Sequence, residues 1–151
     1  MPRLTCQTPT GPYTVTERDG AITGAGWEEG GMDETPLLIE ARRQIEEYYE
    51  GTREQFDLPL RVEGSDFQRA VCDAMLAIPL GETRTYGEIA KELNHPAQAI
   101  GQACGGNPIP LIIPCHRVMG AGGRLTGFSG RGGVETKVWL LRHEKAGGFL
   151  I

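Results

Sequence analysis

Residues 85–108, TYGEIAKELNHPAQAIGQACGGNP, decide how the second half of the chain folds. The spacing predicts two short helices, about Tyr86 to Leu93 and Ala97 to Cys104, split by the tight turn Asn94-His95-Pro96. A short helix, a tight turn and a second helix of small residues that a partner can approach closely form the pattern of helix-turn-helix DNA binders. A plain helical hairpin satisfies the same pattern and is the more economical reading of these residues alone. The neighbouring segments have to decide.

Upstream, GSDFQRAVCDAMLAIPLGE (64–82) offers Ser65 or Asp66 as an N-cap and carries Phe67, Val71, Ala74, Met75 and Ile78 along one face before Pro79 and Gly81 end it. This helix opens a second unit, so the expected division is 1–63 and 64–151. Downstream come the apolar, proline-broken run IPLIIPCHRV (109–118) and the glycine-rich MGAGGRLTGFSGRGGVE (119–135). Glycine density lets backbone approach a ligand, and a loose surface loop has the same composition. ETKVWLLRHEKAGG (135–148) closes the chain as a helix expected to turn Val138, Leu140 and Leu141 inward.

The first half reads differently. YTVTERDGAITGAGWEE (13–29) alternates around Asp19-Gly20, a strong hairpin signal, and predicts strands near Tyr13–Glu17 and Ala21–Trp27. DETPLLIEARRQIEEYYEG (33–51) has Leu37, Leu38, Ala41, Ile45, Tyr48 and Tyr49 at helical spacing and Gly51 as a stop. FDLPLRV (56–62) reads as a further strand. The expected class is therefore α+β, a small N-terminal sheet with one helix followed by a mostly helical C-terminal domain.

With 151 residues, 39% of them hydrophobic, the chain can bury a real core as one domain or two small ones. No apolar run approaches the roughly 20 residues that span a bilayer, and MPRLTCQTPTGPY lacks the core of a signal peptide, so a cytoplasmic protein without a membrane partner is expected. Cys6, Cys72, Cys104 and Cys115 form no C-x-x-C pair, and neither a metal site nor a disulfide is read from their spacing. Cys72 and Cys104 read as small core residues and Cys6 as part of an exposed N-terminal segment. The net charge of -5 argues against a polyanion partner, yet residues 1–64 hold 6 Lys/Arg against 13 Asp/Glu while the rest holds 9 against 7. Any polyanion is expected to meet the mildly basic second half.

Cys115 and His116 stand side by side behind Pro114. Thiolate is the reactive form of cysteine, and a nearby base raises its population. Adjacent residues on an extended backbone point to opposite sides, so the two can cooperate only across a bend or through a water. A histidine base also needs a group to hold its ring, usually a carboxylate; the candidates are Glu135 and Glu144, with Glu144 better placed. A catalytic thiol and a buried structural pair both remain open on these grounds.

From Ser65 to Glu144, and more loosely before it, the chain resembles the O6-alkylguanine-DNA alkyltransferases, which move an alkyl group from guanine to their own cysteine. The matching residues are Phe67-Gln68, Ile78-Pro79 with Gly81, Thr85-Tyr86, Ile89-Ala90, Gly101, Asn107-Pro108, Ile113-Pro114-Cys115-His116-Arg117-Val118, Gly127-Phe128-Ser129-Gly130, Lys137 and Leu140-Leu141. The resemblance implies a ribonuclease H-like N-terminal domain, a helix-turn-helix C-terminal domain, and a stoichiometric, single-turnover repair reaction that needs no cofactor or metal. It implies O6-alkylguanine in double-stranded DNA as substrate, with O4-alkylthymine as a second candidate, and a monomer acting through the minor groove.

It also implies roles. Cys115 is the alkyl acceptor, a water carries its proton to His116, and Glu144 orients the ring. Tyr86 donates to the base and crowds a phosphate so that the nucleotide rotates out of the stack. Ser129, with Phe128 beside it, meets O6, and the backbone at Cys115 and Val118 faces the guanine amino group. Asn107 braces the turn before the active site. Ala97, Ala99, Gly101 and Ala103 line the helix that enters the minor groove, and Arg117 is counted with the DNA contacts. The family usually has an arginine where Gln98 stands, entering the stack in place of the base; here Gln98 offers only a planar amide. Two rivals share the helices. A protein that binds the lesion without repairing it typically has tryptophan at the cysteine position, and a sequence-specific regulator would leave Cys115 inert.

Overall fold

The computed structural model describes residues 1–124 and 133–146. The chain divides into two compact units, Met1–Val62 and Glu63–Ile151.

In the first unit β1 (Arg3–Thr8), β2 (Gly11–Arg18) and β3 (Ala21–Gly26) form an antiparallel sheet in sequential order. Asp19 and Gly20 both take positive φ, 50° and 78°, as a two-residue turn matched to strand twist requires. β1 was not expected. Its alternation places Leu4 and Cys6 in the core, so Cys6 is buried rather than exposed. α1 (Pro36–Glu50) is capped by Thr35, whose side chain accepts from the Leu38 amide, and ends at Gly51 with φ 85°. It packs Leu38, Ala41, Ile45 and Tyr48 against the sheet. The expected strand at 56–62 reduces to a single bridge between Leu60 and Ile22. Pro59 has no N–H to donate and its carbonyl takes the Ile22 amide, so the pairing stops after one residue.

In the second unit α2 (Asp66–Leu76) is capped by Ser65. α3 (Tyr86–Leu93) begins at a capping box, in which the Thr85 hydroxyl accepts from the Glu88 amide and the Glu88 carboxylate accepts from the Thr85 amide. It ends at Asn94 in the left-handed region, a conformation asparagine tolerates, and Pro96 opens α4 (Ala97–Gly105). α2, α3 and α4 pack on one another through Val71, Met75, Ile89, Ile100 and Ala103. β4 (Arg84–Thr85) pairs in parallel with β5 (Val118–Met119), and α5 (Val134–His143) follows. Val138 is only half-buried; Lys137 takes the inward place beside Leu140 and Leu141. The class is α+β.

Candidate active site

The segment before Cys115 is a tight, fully pinned turn. Asn107 accepts the Ile109 amide on Oδ1 at 3.0 Å and donates Nδ2–H to the Ile113 carbonyl at 2.8 Å. Ile113 N also donates to Ile109 O at 2.9 Å. These bonds hold Leu111 at φ 79°, a conformation that costs a branched side chain on the order of 1–3 kcal/mol and persists only when its surroundings over-determine it. Beyond Pro114 the backbone does not continue extended. Cys115–Arg117 forms one turn of 3-10 helix, closed by Arg117 N donating to Pro114 O at 3.0 Å. That turn is a bend of the kind the two neighbouring residues need if they are to act together.

Cys115, His116, Arg117 and Glu144 are all buried. His116 Nε2 lies 2.6 Å from Glu144 Oε2. Arg117 grips the same carboxylate with two nitrogens, Nε to Oε1 at 2.8 Å and Nη2 to Oε2 at 3.1 Å, and its Nη1 donates to the Ile78 carbonyl at 2.7 Å. His116 Nδ1 has no partner among the described residues. Since Glu144 is an acceptor, the ring carries its proton on Nε2 and leaves Nδ1 as a buried acceptor.

Electrostatics set the resting protonation. Burial pushes the Cys115 thiol up, opposed by the Asn107 amide and the Lys137 charge. Burial pushes His116 down, opposed by Glu144. Burial would raise Glu144, but His116 and Arg117 overcome it and hold the carboxyl at about 2. The resting pair is therefore a neutral thiol next to a neutral imidazole backed by an ionised glutamate, a base ready to take a proton rather than a standing thiolate.

Other expected site residues fall as follows. β4 pairs Thr85 with Met119, which sets Tyr86, the first residue of α3, alongside the strand leaving the cysteine turn. Ala97 and Gln98 are exposed on the first turn of α4, Ala99 and Gly101 are half-buried, and a Cβ added at Gly101 would meet open space, whereas Ala103 faces the core of the unit rather than a groove-facing surface. Val118 is buried and its carbonyl accepts Lys137 Nζ at 2.6 Å. Arg117 corrects an expectation: it is 7% exposed and committed to internal acceptors, not presented to a phosphate. Phe128 and Ser129 lie outside the described residues.

Reasoning from the residues did not single out Lys137 for a role. Burial pushes its ammonium down, while the neighbouring Cys115 and Cys104 push it up. A signal existed: Lys137, Leu140, Leu141 and Glu144 stand at i, i+3, i+4 and i+7, so the buried stripe of α5 and its cap bears a charge at each end. Buried charges need partners, and these two find them at Val118 and at His116 with Arg117.

The model of the 6-O-methylguanine DNA methyltransferase DNA-binding domain matches residues 66–146. A methylated-DNA--protein-cysteine methyltransferase of Methanosarcina acetivorans is 50% identical over 115 residues, 75% of this chain and 72% of the relative. The constitutive enzyme of that name in Bacillus subtilis is 38% identical over 155 residues, 93% of each. A crystal structure of Mycobacterium tuberculosis OGT in complex with DNA superposes with a TM-score of 0.86 at 40% identity, covering 98% of this chain and 96% of that one.

Proposed function

Because this chain belongs to the O6-methylguanine DNA methyltransferase family, we propose that it repairs DNA by moving the alkyl group of O6-alkylguanine to Cys115, once per protein molecule. The observation that carries the chemistry is the His116 ring, with Nε2 on Glu144 and Nδ1 buried without a partner, on the residue next to the thiol.

A water between Cys115 Sγ and His116 Nδ1 relays the thiol proton to the imidazole. The sulfur then attacks the alkyl carbon, an S–C bond forms, and the C–O6 bond breaks with its electron pair going to guanine. The departing guanine anion takes a ring proton from the Tyr86 hydroxyl, and the proton held by His116 passes to solvent, which returns one to the tyrosinate, so guanine leaves neutral and both side chains end as they began. Glu144 stabilises the imidazolium formed on the way. Stoichiometric use follows from the product, because a thioether offers no leaving group that would regenerate the thiol.

The lesion lies inside a stacked duplex, so the nucleotide must be extruded. α3 and α4 with their Asn94-His95-Pro96 turn serve as the helix-turn-helix, with Ala97, Ala99 and Gly101 of α4 facing the minor groove. The open surface at Gly101 supports that use. Minor-groove contact reads sequence poorly, as a repair protein requires. The first unit is read as the ribonuclease H-like support domain, and the protein as a cytoplasmic monomer; no helix among the described residues is long and apolar enough to cross a membrane.

Incubation with O6-benzylguanine followed by intact-protein mass measurement tests the reading. One benzyl group per chain is expected, on Cys115 and not on Cys6, Cys72 or Cys104. Cys115→Ser should transfer nothing and still bind DNA. Multiple turnovers, or label on Cys104, would overturn the assignment.

A further inference from the structure

We propose that Arg117 is a positioning residue of the proton relay: its guanidinium holds the Glu144 carboxylate so that His116 keeps its proton on Nε2 and presents Nδ1 as the base. The proposal rests on the alkyl-transfer reading above for its consequence, though its structural half can be measured without it.

The geometry is a fork on a carboxylate. Nε and Nη2 of Arg117 reach Oε1 and Oε2 of Glu144 at 2.8 and 3.1 Å, and Oε2 also meets His116 Nε2 at 2.6 Å. A carboxylate held by one histidine can rotate about its last bond; one gripped on both oxygens from a second direction cannot. The third nitrogen, Nη1, is tied to the Ile78 carbonyl at 2.7 Å, so the fork itself is anchored to the segment after α2. Gly81 nearby has φ 89° and an added Cβ there would lie 3.5 Å from the Glu144 carbonyl, so backbone as well as side chain closes on the end of α5. A lysine could supply the charge but not this planar, three-point hold.

Charge gives the second reason. The charged and titratable groups acting on His116 are Glu144 and Lys137 from α5 and Arg117 from its own turn. Burial is the main cause that holds the proton affinity of His116 down, Glu144 at 2.6 Å raises it, and the Arg117 charge works against Glu144 in the same direction as burial; a ring protonated at rest could not take the thiol proton. The imidazole is oriented by Glu144 without being saturated by it.

The test uses the full chain with Arg117→Gln and Arg117→Lys. Its first readout is the 15N NMR titration of His116 in unreacted protein, assignable among three histidines. The second is the single-turnover rate with O6-benzylguanine across pH. Gln removes the charge, so the His116 titration and the acidic limb of the rate should both move to higher pH by about one unit, a tenfold rise in proton affinity. Lys keeps the charge, so the limb should stay in place while the plateau rate falls about tenfold and the ring samples both tautomers, because the fork is gone.

An unshifted titration in Gln, or a rate lowered equally at every pH, would reduce Arg117 to packing. Should Gln fail to fold, the Lys variant decides: a slowed plateau with mixed tautomers supports the proposal, and a wild-type rate with a single Nε2–H tautomer overturns it. If wild-type protein transfers no alkyl group, the functional reading fails, and the titration still reports on Arg117.

Discussion

His116 and Glu144 face each other with 2.6 Å between Nε2 and Oε2, and neither side chain exposes any surface. One sits in the turn after Pro114 and the other caps α5. The contact therefore joins the turn after Pro114 to the C-terminal helix as well as setting the tautomer of the imidazole, and the two effects can be separated by experiment.

Glu144→Gln should slow alkyl transfer strongly at neutral pH and much less at high pH, where the thiol ionises without help. Glutamine can still accept from Nε2–H but lacks the charge that stabilises an imidazolium. Single-turnover rates across pH measure this, and a profile parallel to wild type would assign the role to another group.

Acid should unfold the C-terminal unit in two stages. Burial holds His116 below the ordinary histidine value of 6.5, so the unfolded chain binds the proton first and stability is lost as pH falls below 6.5. Glu144 is held at about 2 against 4.5, so its contribution is present above 4.5 and disappears between 4.5 and 2. Linkage puts this second contribution on the order of 3 kcal/mol. Urea unfolding from pH 8 to pH 3 should show the stability falling with acid, and Glu144→Gln should flatten the lower stage. Stability independent of pH over that range would contradict the buried geometry.

Asn107→Ala should destabilise the protein by about 2–4 kcal/mol, since the Ile109 amide and the Ile113 carbonyl both lose their partner in a part-buried turn. The turn also holds Leu111 at positive φ, which adds strain once the brace is gone. A denaturant midpoint unchanged from wild type would show that the prolines alone hold the turn.

Gln98→Arg should increase the saturated rate on alkylated duplex DNA and leave the rate with free O6-benzylguanine unaltered, because only the duplex requires an extruded base. Gln98 is exposed on the first turn of α4, so the substitution is free of packing cost. An added cation also tightens DNA binding generally, steepening the salt dependence by about one phosphate. Saturating DNA removes that effect from the comparison, and a saturated rate equal to wild type would show that position 98 does not fill the stack.

Local chemistry is legible in local sequence. Asp19-Gly20, Ser65 before Asp66 and the Asn94-His95-Pro96 break each specify a backbone conformation through neighbouring atoms, and each falls where expected. β1 was missed because its partner strand, not its own weak alternation, makes it a strand, and the expected strand at 56–62 shrank because its pairing depended on a proline amide.

The Cys115–His116 pair is likewise written in adjacent letters, but its environment is not. Nothing near Arg117 in the chain distinguishes a phosphate contact from a buried fork; that depends on Glu144, 27 residues away, and on the Ile78 carbonyl, 39 residues away. Lys137 is charged by sequence and buried by packing, and the Val118 carbonyl that accepts its Nζ–H lies 19 residues away in the chain. The sequence by itself determined which titratable groups stand next to one another and where helices start and stop, because bond geometry and capping act within a few residues. Tertiary structure alone decided which charges are desolvated and paired, and hence which protonation states the site holds, because burial and Coulomb interactions are set by neighbours in space.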